Sequence, residues 1–257
     1  MNYDSGAAVV STFAAPTVSP PGANNWSCQP TAQHPYPVVL VHGTLANMND
    51  SWQAASPILA NHGYCVFALN YGGASAASDF QGTGDIAASA RQLASFVNEV
   101  LAATGAPKVD IVGQSQGGTM PRYYISLLGG AAKVDKLIGL APSNYGTTLD
   151  GLTVLGHTFG LLAPVNSVLS TTCVACVEQE AGSAFLTALN AQPAAPNVTD
   201  ITVQKQCPLD ESDHLEIASD PVAMADMLNA LDPAQPVRAP CQLVLPVFGP
   251  VGPVPSF

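Results

Sequence analysis

The stretch VDIVGQSQGG, residues 109–118, changes character halfway. Residues 109–112, apolar and β-branched but for Asp110, form a short run of the kind that makes a buried strand. Residues 117–128 read as a helix. Between them Gly113-Gln114-Ser115-Gln116-Gly117 fits G-x-S-x-G, and a strand before with a helix after is the context that a nucleophile elbow requires. Side chains at 113 and 117 would collide with the neighbouring strand and helix, while the sharp turn lifts the Ser115 hydroxyl clear. The helix N-terminus beneath it favours developing negative charge. The competing reading is a plain Gly/Ser turn between sheet and helix.

Outward from the elbow the same alternation continues. Val38–Val41 is a β-branched run ending in His42-Gly43, apolar on both faces as a parallel sheet requires. Residues 64–69 and 137–140 are two further runs. Asp85 is a good helix N-cap, followed by Ile86, Ala90, Leu93, Val97 and Leu101 at steps of three and four. Gly105 then ends that helix and Pro107 prevents its return. Strand and helix alternate, which points to a doubly wound, mainly parallel α/β sheet. Residues 1–37, rich in Pro, Ala, Ser and Asn, read as an extended arm without helical periodicity. Residues 38–232 form the α/β domain, and within it 146–190 supply an apolar cap or pocket segment, with residues 153–169 expected as short helices. Residues 233–257 read as a Pro-rich surface tail tied down by Cys241.

Composition narrows the function classes. Apolar residues make up 47% of the chain, enough for a substantial core, and charged residues only 10%, against roughly 25% in an average soluble protein. Seven Lys and Arg face 18 Asp and Glu, a net charge of −11. That balance excludes nucleic acid, whose phosphates need clustered cations, and electrostatic docking on anionic membranes. It does not oppose a neutral, apolar substrate. No apolar run reaches the ~18 residues of a membrane span. Residues 1–10 lack the basic start and apolar core of a signal peptide. The six cysteines, Cys28, Cys65, Cys173, Cys176, Cys207 and Cys241, nevertheless suggest an oxidising compartment, so the chain reads as exported, with its leader absent from this sequence. Six cysteines admit 15 pairings, and sequence alone selects none. Pairing in chain order, Cys28 with Cys65, Cys173 with Cys176 and Cys207 with Cys241, is the working expectation; free buried thiols are the alternative. Cys173 and Cys176 also fit a redox or metal pair, but no second CxxC and no His pair accompanies them.

In a fold of this kind the loop after the first buried strand supplies one oxyanion donor and the residue after the nucleophile the other. The backbone N–H groups of Thr44 and Gln116 are therefore the candidates. His42 comes too early in chain order to act as the base and reads as a structural residue of that loop.

HPYPVVLVHGT (34–44), GYCVFALNYGG (63–73), VDIVGQSQGG (109–118) and GLAPSNYGTTLDG (139–151) together resemble the class 2 bacterial lipases and esterases of actinomycetes. The resemblance runs from residue 26 to residue 231. It implies the α/β-hydrolase fold, export and disulfides, and it makes the three cysteine pairs plausible. One departure lies beside the nucleophile, where the family's usual GHSQGG has His and this chain has Gln114. Altered packing next to Ser115 is expected from it, not loss of chemistry.

The expected order is Ser, then Asp or Glu, then His. Of the five histidines only His157 and His214 follow Ser115, and His157 lies too soon after the fourth strand. His214 precedes the last helical stretch, residues 221–231, and matches the family's base position. The acid is harder. Asp135, Asp150, Glu178, Glu180, Asp200, Asp210, Glu211 and Asp213 all fall between Ser115 and His214. The resemblance implies a further strand and an Asp-bearing loop between Asn190 and Asn197, where this chain has a short linker containing Pro193 and Pro196. Only residues 198–203 read as a strand there, so the sheet lacks one late strand. Asp210, four positions before His214, is the candidate substitute. Otherwise Ser115 and His214 work as a weakened dyad, or the chain no longer turns over.

These features predict a secreted ester hydrolase, a lipase or esterase with polyesters as a possible further substrate, working through a serine acyl-enzyme without metal or organic cofactor. The alternative is a lipid- or polymer-binding relative that has lost its acid. The expected partner is an apolar ester, with no nucleic acid and no integral membrane contact, and the chain is expected to be a monomer.

Overall fold

The computed structural model describes residues 3–12, 15–147, 166, 170–193 and 195–254. The stretch expected to form short helices over the sheet, 153–169, lies almost wholly outside the described residues, as do His157 and Asp150.

Among the described residues four short strands build the central sheet: β1 (Val38–Val41), β2 (Val66–Leu69), β3 (Val109–Gln114) and β4 (Val134–Leu140). All pairs are parallel and the order is β2-β1-β3-β4. The chain therefore starts in the middle, adds a strand on one side, then crosses back over β1 to add the others. The crevice between β1 and β3, where the direction of growth reverses, is where a doubly wound sheet binds its ligands.

The β1 sequence explains its place. All four residues are fully buried, which demands apolar side chains on both faces. Val38 and Leu40 pack on one face with Trp52, Ile58, Leu59, Met224 and Leu228. Val39 and Val41 pack on the other with Phe67, Leu93, Val97, Ile111 and Met120. Helices α2 (Met48–Ser51) and α3 (Ala55–Asn61) follow β1, and α3 joins the first layer with the late helix α9 (Pro221–Leu231). Helices α4 (Ile86–Thr104) and α5 (Gln116–Leu127) form the second layer. The ends of α4 are those expected from the sequence: Asp85 accepts from the Ala88 amide at 2.6 Å, and Gly105 takes φ 67° to donate back to Leu101.

Three expectations need correction. The N-terminal arm is not wholly extended, because Ser5–Thr12 is a helix, α1. Asp4 accepts from the Ala7 amide at 2.7 Å, and Ala8 is buried; tertiary packing stabilises a segment whose own periodicity is weak. Residues 198–203 do not form a strand. They lead into a single helical turn, α8 (Val203–Gln206), after two short helices, α6 (Val174–Glu178) and α7 (Ala184–Asn190). Val198 and Ile201 are exposed, so the β-branched composition there has no sheet to join. Third, the tail is not all coil: β5 (Val244–Leu245) and β6 (Gly249–Pro250) pair antiparallel.

The tail and the arm both meet the loop before α9. Glu211 donates to the Val244 carbonyl at 3.0 Å, Gly6 donates to Val247 at 2.9 Å, and the Cys207–Cys241 disulfide fastens the same region. The other disulfides join Cys28 to Cys65 and Cys173 to Cys176, so the pairing in chain order is the one present.

Gly117 is among the tightest approaches in the described fold: a Cβ there would run into the backbone carbonyls of Val41 and His42. Gly117→Ala is expected to cost about 3 kcal/mol or more, since backbone cannot yield as a side chain does. A lowered urea midpoint at unchanged slope checks this, and a wild-type midpoint would overturn it.

Candidate active site

Strand β3 delivers the elbow. Ser115 sits at φ 55° and ψ −123°, a backbone state that side-chain-bearing residues rarely hold. It is held by its own amide, which donates to Leu140 on β4 at 3.0 Å, and by the next turn, where Gly118 donates to the Ser115 carbonyl at 2.9 Å. A Cβ on Gly113 would meet the Gly117 carbonyl, so glycine is required on both sides of the turn.

His214 comes from the loop between α8 and α9, 99 residues along the chain. Its Nε2 lies 2.9 Å from the Ser115 hydroxyl. With the ring proton on Nδ1, Nε2 accepts from that hydroxyl. The His214 backbone is held independently of its ring. Gln114 Nε2 donates to the His214 carbonyl at 2.8 Å. Asp213 Oδ1 accepts from the amides of Leu215 and Glu216 at 3.2 and 2.8 Å and so starts the 3₁₀ turn Glu216–Ala218. The Gln114 contact had one signal in the sequence, the unusual residue before Ser115. Gln114 also lies against Gly43, where any side chain would strike its Oε1.

Thr44 and Gln116 face one another across the crevice. The Thr44 hydroxyl donates to Gln116 Oε1 at 3.1 Å. Gln116 is the first residue of α5, so its amide has no acceptor within the helix. The Thr44 amide makes no backbone hydrogen bond among the described residues. His42 is fully buried, and burial pushes its pKa down to about 4, so it is neutral. Its Nδ1 lies 2.8 Å from the Gly43 carbonyl, its ring stacks on Tyr71 at 4.3 Å, and the Tyr71 hydroxyl donates to the His42 carbonyl at 2.6 Å. These contacts hold the loop leading to Thr44.

Among the described residues no carboxylate is hydrogen-bonded to His214. Asp210 is buried, and its Oδ1 accepts from the Ser212 amide at 2.9 Å. Its Oδ2 has no bonded donor, nor has Oδ2 of Asp220, which neighbours it. Burial, then the charge of Asp210, hold the Asp220 pKa well above the carboxylate range. A protonated Asp220 satisfies both orphan oxygens by donating to Asp210. Glu216, also fully buried, is raised to about 8 by desolvation; its Oε2 accepts from the Ser5 amide at 3.2 Å. Three buried carboxyl groups thus lie at the root of the His214 loop: Asp210 beside Asp220, and Glu216 bonded to the N-terminal helix.

A parallel α/β sheet with its serine at a strand–helix elbow, met by a histidine from a late loop, has the form of an α/β-hydrolase. The model of the family described as Lipase (class 2) matches residues 35–215, and the chain belongs to that family. A triacylglycerol lipase of Vibrio cholerae is 31% identical over 176 residues, covering 61% of this chain and 52% of its own. One from Pseudarthrobacter phenanthrenivorans is 39% identical over 97 residues, 36% of this chain and 28% of its own. This chain thus spans about half or less of the length of these relatives. Among solved structures, the mature form of a Bacillus licheniformis lipase superimposes with a TM-score of 0.46 at 18% identity, covering 69% of this chain and 65% of that one.

Glu216 carries a pH dependence of stability. Its folded pKa, about 8, lies above its ordinary 4.5, so the folded state binds more protons between those values. The stabilisation is complete below about 4.5 and is lost as pH rises to about 8. Melting temperature should fall over that window, and Glu216→Gln should exceed the wild type at pH 8 while matching it near pH 4. Parallel melting curves for the two proteins at both pH values would overturn this.

Proposed function

We propose that this protein hydrolyses carboxylic esters of apolar acids through an acyl-enzyme on Ser115, with His214 as base. The observation that carries the reading is the 2.9 Å contact between Ser115 Oγ and His214 Nε2 at a strained elbow. Ser115 Oγ attacks the ester carbonyl carbon while Nε2 takes its proton. The amides of Thr44 and Gln116 receive the carbonyl oxygen as it becomes negative. The C–O bond to the alcohol then breaks, the alcohol leaves with the proton from Nε2, and Ser115 remains acylated. Water repeats the sequence in reverse roles, releasing the acid. Leu45, Leu215 and Phe80 are exposed, and the first two directly follow Thr44 and His214, so the rim around the serine favours an apolar acyl chain. The named relatives are triacylglycerol lipases, in keeping with lipid esters; apolar polyesters present the same bond. The three disulfides fit an extracellular protein.

Among the described residues no carboxylate meets Nδ1 of His214, and the reading is a dyad whose histidine backbone is held by Gln114 and Asp213. A missing acid costs on the order of 10⁴ in rate in a serine protease, so slow turnover is expected. That same feature favours a second reading, a lipid- or polymer-binding protein that does not turn over. Hydrolysis of p-nitrophenyl butyrate decides between them. We expect measurable turnover and stoichiometric fluorophosphonate labelling, both abolished by Ser115→Ala. His214→Ala should lower kcat at least about 100-fold, whereas Asp210→Asn should change it less than about threefold. Loss of activity in Asp210→Asn equal to that in His214→Ala would overturn the dyad, and no labelling of folded protein would overturn the hydrolase reading.

A further inference from the structure

Gln179 lies outside the serine–histidine contact, yet it is buried and every polar atom of its side chain is engaged. Its Oε1 accepts from the Ser143 hydroxyl at 2.8 Å. Its Nε2 donates to the Ala175 carbonyl at 3.0 Å and to the Thr44 hydroxyl at 2.7 Å. The carbonyl of Ala175 can only accept, so the orientation of the Gln179 amide is decided. Thr44 Oγ1 must then accept from Gln179, and its single proton goes to Gln116 Oε1. The Gln116 amide is oriented in the same way, since its Nε2 donates to the Gly82 carbonyl at 3.2 Å. The result is a one-way chain of donors, Gln179 to Thr44 to Gln116, running through the side chains of both residues whose amides face the reacting carbonyl.

We propose that Gln179 is a positioning residue that sets the separation of the Thr44 and Gln116 amides, braced by the Cys173–Cys176 disulfide. Cys173 is the N-cap of helix α6, whose Ala175 supplies the carbonyl that orients Gln179; the Ala175 amide in turn donates to the Thr83 carbonyl at 3.1 Å, next to Gly82. The disulfide closes the turn around Ala175. The CxxC pair then has a mechanical task at the site, without redox turnover or metal. The chemistry gives the arrangement a purpose. Donors at an oxyanion act through their preorganisation, and a buried chain with each proton assigned resists the movement that would weaken them.

The inference rests on the ester-hydrolase reading. Gln179→Glu keeps size and the acceptor for Ser143 but removes the donor to Thr44, freeing the Thr44 proton to turn away from Gln116. We expect kcat for p-nitrophenyl butyrate to fall about tenfold to hundredfold, below the effect of deleting an oxyanion donor outright, with KM unchanged. Affinity for butylboronic acid, whose tetrahedral adduct on Ser115 places an anionic oxygen between the two amides, should fall in the same proportion. Thr44→Val breaks the chain from its other side. It should give a similar loss, and the double variant should be no worse than the poorer single variant, because both remove one coupling. The Cys173→Ser/Cys176→Ser variant should lower kcat and boronate affinity together. An inactive wild type would fail the hydrolase reading. An active wild type with unchanged kcat and boronate affinity in Gln179→Glu, or with additive losses in the double variant, would overturn the positioning role. If Gln179→Glu does not fold, Thr44→Val with the disulfide variant carries the same test: parallel loss of kcat and boronate affinity supports the role and its absence overturns it.

Discussion

The site depends on one steric constraint, the crossing of the α5 N-terminus over the end of β1. Gly117 lies against the carbonyls of Val41 and His42, and Gly113 against Gly117 itself. This closeness brings the loop after β1 beside the first amide of α5. Without it Thr44 would not reach Gln116, and the positive φ of Ser115 would have nothing to hold it. A left-handed serine costs on the order of 1–3 kcal/mol and survives only where its surroundings over-determine it. Here those surroundings are the Leu140 carbonyl, the first turn of α5 and a sheet buried on both faces.

A second constraint acts on His214. The histidine has to be presented by a loop with no strand of its own in the central sheet, and with no acid on its ring among the described residues. The chain answers with backbone contacts. Gln114 reaches from the elbow to the His214 carbonyl, and Asp213 starts the next turn. Beneath lie Asp210, Glu216 and Asp220, too deeply buried for all three to be charged cheaply. Glu216, accepting from the Ser5 amide, ties the loop to the N-terminal helix, and the bridge between residue 210 and Val244 ties it to the C-terminal tail. Both terminal segments therefore help to hold the His214 loop, although neither belongs to the sheet that carries Ser115.

Much of the site was legible in the residues alone, for local reasons. The elbow is a strand, a turn and a helix in one stretch, and its glycines report a crowding that any such turn must meet. The helix from Asp85 to Gly105 carries both of its ends in its own sequence. The misread segments share a cause. Residues 198–203 have β-branched composition, but strand formation needs a neighbouring edge. The helix Ser5–Thr12 has little pattern of its own and is held by Glu216 and by packing.

By itself the sequence determined the order of strands and helices in the central sheet, the serine elbow with its flanking glycines, and the singling out of His214 among the histidines. These follow from periodicity, capping and chain order, which act over a few residues or along the chain. Tertiary structure alone decided that Asp210 faces Asp220, that Gln114 holds the His214 backbone, and that Gln179 completes a chain through Thr44 to Gln116. Each joins groups whose sequence neighbours reveal nothing of the partner, and hydrogen-bond direction and burial become defined only when the folded chain brings them within 3 Å or so.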